Sequence, residues 1–219
     1  MESQERQGVL YFDFVSPWAY LMDVALRRDP LPIALEFRPV LFAGLLNAFG
    51  HKGPAEIDRK RRFTYEHCTW KAQETGTPFL MPAVHPFNPL RYLRLAISLD
   101  VRPEVVSTIF DELYTQGLDP SNPAVWDRVL RGVAKSAAAR AIDSPEIKAR
   151  LRSNTDSAVT AGVFGVPTIT VDNHLFWGFD SLPMVRAYLN GDPNFNTPAM
   201  KAAGAVQVGA QRRERTPDN

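Results

Sequence analysis

The chain has 219 residues, 45% of them hydrophobic and 22% charged, the composition of a globular protein able to bury a core. Its 25 Lys and Arg against 24 Asp and Glu leave a formal charge of +1, which argues against holding nucleic acid or an anionic membrane by bulk charge. The single cysteine, Cys68, excludes an internal disulfide, a CxxC redox pair and a cysteine-rich zinc site, and four scattered histidines (His51, His67, His85, His174) offer no metal-ligand spacing.

In chain order, the polar N-terminus lacks the apolar run of a secretory signal. No stretch approaches the ~20 apolar residues of a membrane-spanning helix. With a free cysteine and no targeting signal, the expected location is the cytoplasm. Residues 9–14 are rich in β-formers and predict a first strand. Ser16 followed by Pro17 is a helix start, the hydroxyl capping and the proline standing where its missing N–H costs nothing. That helix stops at Asp29-Pro30. Residues 33–40 partly alternate and predict a second strand, so the chain opens β-α-β with two parallel strands.

From about 41 to 160 the periodicity is helical, with helices expected over 55–75, 88–99, 103–116 and 123–140. A short helix is expected from Pro145, and another over 153–163. Four prolines between 78 and 89 make a stiff extended connection. Strand character returns at 167–171. Asp172-Asn173 marks a tight turn, and His174–Trp177 is the return strand. Ser181 is expected to cap a last helix ending at Gly191, and 192–219 to be mostly a flexible tail. The whole is an α/β, three-layer domain interrupted by a helical block.

Two stretches carry a family resemblance. YFDFVSPWAYL at 11–21 is similar to the FDFxSPxxYL signature of the 2-hydroxychromene-2-carboxylate isomerase family. GVFGVPTITV at 162–171 with LFWGFD at 175–180 resembles its second signature, and HPFNPL at 85–90 resembles a segment of bacterial relatives. That family is close to kappa-class glutathione transferases and more distantly resembles the disulfide oxidoreductase DsbA. The resemblance runs from about residue 9 to 190. It implies a thioredoxin-like domain (8–40 and 156–191) with an all-helical insertion (41–155), forming a homodimer that binds glutathione. Where DsbA-type proteins carry CxxC, this chain has Ser16-Pro17-Trp18-Ala19, so dithiol exchange at that site is chemically impossible.

The candidate site follows from these motifs. Ser16 stands at a helix N-terminus, where unpaired N–H groups favour an anion. Its hydroxyl is either only a cap or also a donor to a glutathione thiolate, the catalytic role that the resemblance implies. The resemblance further implies a cis peptide at Val166-Pro167, leaving Val166 backbone groups to pair with the cysteinyl part of glutathione. It gives Asp180 to the γ-glutamyl amino group. Ser181 stands where the family carries Arg, leaving its hydroxyl and N–H for the γ-glutamyl carboxylate. Lys60 falls at the family's lysine offset for the glycine carboxylate, within a basic run at 59–62 that equally reads as a solvated helix face. His51 replaces the family's Asn. Trp18, Phe42, Phe87, Asn88 and Trp177 are candidates for an aromatic substrate cleft, or for plain core.

The implied activity is glutathione-dependent isomerisation of 2-hydroxychromene-2-carboxylate, or a related unsaturated aromatic carboxylate, to trans-o-hydroxybenzylidenepyruvate by reversible thiolate addition. The alternatives are a kappa-like transferase or peroxidase, and a cysteine-free DsbA-like peptide-binding module.

Overall fold

The computed structural model describes residues 6–133 and 141–210. Strand β1 (Gln7–Phe12) ends earlier than its apolar run because Asp13 bends the chain. Its carboxylate accepts the Val15 N–H at 3.0 Å, and its carbonyl accepts the Ser16 N–H at 3.0 Å. Helix α1 (Pro17–Arg28) starts as expected. Ser16 has extended φ and ψ of −92° and 112° and accepts the Ala19 N–H, and Pro17 opens the first turn. Arg27 and Arg28 in the last turn complement the helix dipole. Strand β2 (Ala34–Pro39) then runs parallel to β1, from Gln7 opposite Ala34 to Phe12 opposite Pro39.

The block between β2 and the next strand is helical. It comprises α2 (Phe42–Ala48), α3 (Asp58–Glu74), α4 (Leu90–Ser98), α5 (Pro103–Tyr114), α6 (Pro123–Gly132) and α7 (Pro145–Thr160). The two helices expected after Pro145 are one. Ser144 caps it, and Leu151, Thr155 and Ala158 form a narrow buried stripe that a periodicity search does not join. Helix α6 stops at Gly132, and the expected continuation over 134–140 lies outside the described residues.

Strands β3 (Thr168–Val171) and β4 (His174–Trp177) form a hairpin in which Asp172 takes φ +53°. β3 is antiparallel to both neighbours, giving the order β2-β1-β3-β4. Ser181 departs from expectation: it closes a 3-10 turn (Phe179–Ser181) and makes no capping bond to α8 (Leu182–Leu189). The tail departs too. Pro193–Asn196 forms a 3-10 turn whose Phe195 ring lies 5.1 Å from Tyr188, and α9 (Pro198–Gly204) follows, capped by Thr197. Residues 211–219 lie outside the described residues.

Alternation along β1 assigns the layers. Leu10 joins Met22 and Leu26 of α1, Ile169, Phe176 and Val185 of α8 on one face. Tyr11 faces the other way, with Val40, Leu45 and Ala158 of α7. At the strand's end Phe12 and Phe14 meet Tyr20, Phe110 and Tyr114, joining sheet and helical block in one continuous core. Among the described residues no helix is long and apolar enough to cross a membrane.

Candidate active site

Ser16 sits where the end of β1, the start of α1 and the loop before β3 converge. The side chain is 7% exposed. Its Oγ accepts the Ala19 N–H at 3.2 Å, so the capping role is real. The same hydroxyl points to the Val166 carbonyl at 3.4 Å, which is long for an O–H···O bond. A donor so weakly engaged is available to a better acceptor. Capping and donation use opposite ends of one hydroxyl, so the two readings of Ser16 are compatible.

The facing loop is built for close approach. The Val166-Pro167 peptide is cis. Among the described residues the Val166 N–H has no protein partner, while the Pro167 carbonyl accepts the Gly178 N–H at 2.8 Å. A Cβ on Gly165 would lie 2.5 Å from the Trp177 Nε1, so only glycine lets that indole cover the loop. Gly178, at φ +88°, would likewise drive a Cβ to 2.5 Å from the Asp180 Oδ1. Asp180 is exposed and unpaired among the described residues. Ser181 does not match its expectation. Its N–H and Oγ both donate to the Gly178 carbonyl, at 3.2 and 2.7 Å, which leaves no free donor for a carboxylate.

The basic run resolves into separate roles. Arg61 pairs with Asp58 and Arg62 with Glu66, whereas Lys60, in the first turns of α3, forms no ion pair among the described residues. His51 follows α2 as an exposed side chain, its backbone N–H bonded to the Leu46 carbonyl. The aromatic candidates divide as well. Trp18 is half-buried, edge-on to His67 at 4.8 Å and stacked on Phe179 at 6.1 Å. Trp177 is exposed and meets Phe164 at 5.1 Å. Phe42 is partly buried and packs against the cluster on the sheet's second face that includes Val166. Phe87 is a core side chain against Tyr92 and so does not read as a cleft wall, whereas Asn88 is exposed and its Oδ1 accepts the Leu90 N–H at the start of α4.

Sequence reasoning left Asp13, Tyr65, His67, His85, Phe164 and Phe179 unassigned. Asp13 is fully buried, its second oxygen accepting the Phe42 N–H at 2.8 Å. Burial raises its pKa from 3.8 to about 7, against the two backbone N–H bonds. A carboxyl whose folded pKa is raised binds more protons folded than unfolded across that window, so it costs stability as pH rises through it. His85, lowered by burial, slopes the other way. A difference measurement separates them. The melting temperature of Asp13→Asn relative to wild type is expected to rise between about pH 5 and pH 8. A pH-independent difference would show that the Asp13 carboxyl is already ionised below that range in the folded protein, its pKa not raised by burial.

The family model for the DSBA-like thioredoxin domain matches residues 9–190. The chain is 29% identical over 192 residues to the 2-hydroxychromene-2-carboxylate isomerase of Sphingobium xenophagum, covering 82% of this chain and 95% of that protein. It is 25% identical over 201 residues to glutathione s-transferase kappa 2 of Caenorhabditis elegans, covering 82% and 89%. A solved 2-hydroxychromene-2-carboxylate isomerase shares the fold with a TM-score of 0.73 at 21% identity, over 92% of this chain and all 100% of that one. The match runs from β1 through the helical block to the hairpin and α8, and the chain belongs to the DsbA-like thioredoxin domain family.

Proposed function

We propose that the chain is a glutathione-dependent isomerase acting on 2-hydroxychromene-2-carboxylate or a related unsaturated aromatic carboxylate, with trans-o-hydroxybenzylidenepyruvate as the product of the former. The observation that carries this reading is the loosely held Ser16 hydroxyl at the α1 N-terminus, 3.4 Å from the Val166 carbonyl. Curated relatives named as this isomerase support it. When bound, glutathione supplies a thiolate that adds reversibly to the unsaturated substrate.

The residues present fit that tripeptide. Ser16 donates to sulfur, and the α1 N-terminus favours its negative charge. The free Val166 N–H offers a strand-like bond to a peptide backbone. Asp180 supplies a carboxylate for an ammonium and Lys60 an ammonium for a carboxylate, neither in an ion pair among the described residues. With Ser181 engaged on Gly178, no side chain is assigned to the γ-glutamyl carboxylate. Trp18, stacked on Phe179, and the exposed Trp177 offer apolar faces to an aromatic ring. The same reading has the protein act as a cytoplasmic homodimer.

Lys60→Gln is expected to raise the KM for glutathione about three- to tenfold with kcat nearly unchanged, since an exposed ion pair is worth on the order of 1 kcal/mol. An unchanged KM would remove Lys60 from the site.

Kappa-class relatives at similar identity favour a second reading, a transferase using the same thiolate. Incubation with the chromene carboxylate separates the two. Isomer formed only with glutathione present, and glutathione recovered unchanged, supports the isomerase. Stoichiometric consumption of glutathione supports the transferase. No turnover of either kind would overturn both.

A further inference from the structure

The peptide immediately before Ser16 is held at both of its polar groups by side chains that the proposed chemistry does not use. The Val15 N–H donates to the Asp13 Oδ1 at 3.0 Å, and the Val15 carbonyl lies 2.6 Å from the His85 Nε2. A carbonyl only accepts, so Nε2 carries a hydrogen and donates. The other ring nitrogen, Nδ1, lies 2.7 Å from the Tyr65 hydroxyl, which is also 2.9 Å from the His85 carbonyl. In the neutral ring favoured by burial Nδ1 is an acceptor, so the one Tyr65 hydrogen is shared between Nδ1 and the His85 carbonyl, and its donation to Nδ1, the shorter contact, favours the tautomer that serves Val15. The remaining oxygen of Asp13 takes the Phe42 N–H at 2.8 Å, anchoring the same turn to α2.

The result is one chain of hydrogen bonds, Tyr65–His85–Val15–Asp13–Phe42. It spans from α3, which bears Lys60, through the Ser16 turn to the start of α2. Its directly bonded partners are separated by up to 70 positions in sequence, so local propensity does not produce it. Ser16 has its own N–H on the Asp13 carbonyl at 3.0 Å, and so inherits its orientation from this turn.

We propose that His85, oriented by Tyr65 and opposed by Asp13, is a positioning residue that clamps the Val15 peptide and thereby aims the Ser16 hydroxyl at the sulfur-binding position. It touches neither substrate nor thiol and acts only through Val15. A hydroxyl a fraction of an ångström out of place loses most of its hydrogen bond to a thiolate, which is why such support matters. The relation to sulfur rests on the glutathione reading; the clamp does not.

The test uses the full-length chain with His85→Phe, which keeps a ring of similar volume and removes both nitrogens, and His85→Gln, whose amide can still donate to the Val15 carbonyl. Hydrogen exchange of the peptide covering residues 13–19 is measured without ligand. The thiol pKa of bound glutathione is then measured by its ultraviolet absorbance. In His85→Phe the 13–19 amides are expected to exchange at least tenfold faster, with β1 and α5 unchanged, and the thiol midpoint to move toward its free value. His85→Gln restores most of both. Unchanged local exchange in His85→Phe would overturn the clamp, as would faster exchange that His85→Gln fails to restore. If wild type binds no glutathione, the catalytic reading fails, and the exchange result still decides whether His85 holds the turn.

Discussion

Replacing Ser16 by alanine is expected to lower kcat/KM for the isomerase reaction by about 10- to 100-fold, the range set by losing one hydrogen bond to a charged acceptor. The side chain at this position faces the Val166 carbonyl at 3.4 Å, and no other hydroxyl side chain among the described residues bonds to that carbonyl. The substitution also removes the cap on Ala19, at a cost of about 1 kcal/mol in stability. Two further variants separate these effects. Ser16→Thr keeps both functions and is expected to retain activity within about tenfold. Ser16→Asp keeps an acceptor for the Ala19 N–H but sets a negative charge beside the developing thiolate, so it is expected to be inactive while remaining capped. Steady-state kinetics with thermal melts reads both. Ser16→Ala with wild-type kcat/KM would reduce Ser16 to a helix cap.

The largest expected effect on stability is at Phe110. This α5 ring is 1% exposed and lies 4.7 Å from Phe14, 5.9 Å from Phe12, 6.1 Å from Tyr20 and 6.3 Å from Tyr114. It therefore ties the helical block to the end of β1 and to α1 at once. Phe110→Ala is expected to cost about 3–5 kcal/mol, because the surrounding rings belong to different elements and cannot all collapse into the void. Against a total of roughly 5–15 kcal/mol this is a large share. The melting temperature is expected to fall by about 10 °C or more. Phe14 leads directly into the Ser16 turn and its carbonyl accepts the Tyr114 hydroxyl at 2.9 Å, so loss of activity should accompany the destabilisation. Denaturant unfolding measures it. A loss under about 1 kcal/mol would mean that sheet and helical block do not share this core.

Local rules carried much of the fold. The Ser16-Pro17 start, the Asp172 turn and the β-forming runs on either side of them each specify an element through its own residues. The departures have weak local signals. Helix α7 was expected as two helices rather than one because only Leu151, Thr155 and Ala158 are buried along it. Helix α9 is short and exposed, begun by Thr197 and Pro198 rather than by an apolar stripe. The strand end at Phe12 was misplaced because Asp13, set between two phenylalanines, turns the chain with its own carboxylate.

The candidate site was legible to the extent that it lies in contiguous motifs. Ser16, Val166 and Pro167 are brought together. Lys60 forms no ion pair among the described residues, while Ser181 is diverted to the Gly178 carbonyl and Phe87 to the core. The supporting groups were hidden because their partners are tertiary. No pattern in the sequence links His85 to the Val15 carbonyl, or Asp13 to the Phe42 N–H. Two signals were nonetheless present: an acid among β-formers, which needs an internal partner, and a histidine inside a proline-rich connection.

The most direct test of the account is the ultraviolet difference absorbance of bound glutathione thiolate against pH, in wild type and Ser16→Ala. A free thiol ionises near about 8.5. The account predicts a thiolate signal already present near neutral pH in wild type, with a midpoint that moves up by about one unit or more in Ser16→Ala. A wild-type protein that gives no glutathione-dependent signal, or a variant with the same midpoint, would contradict it.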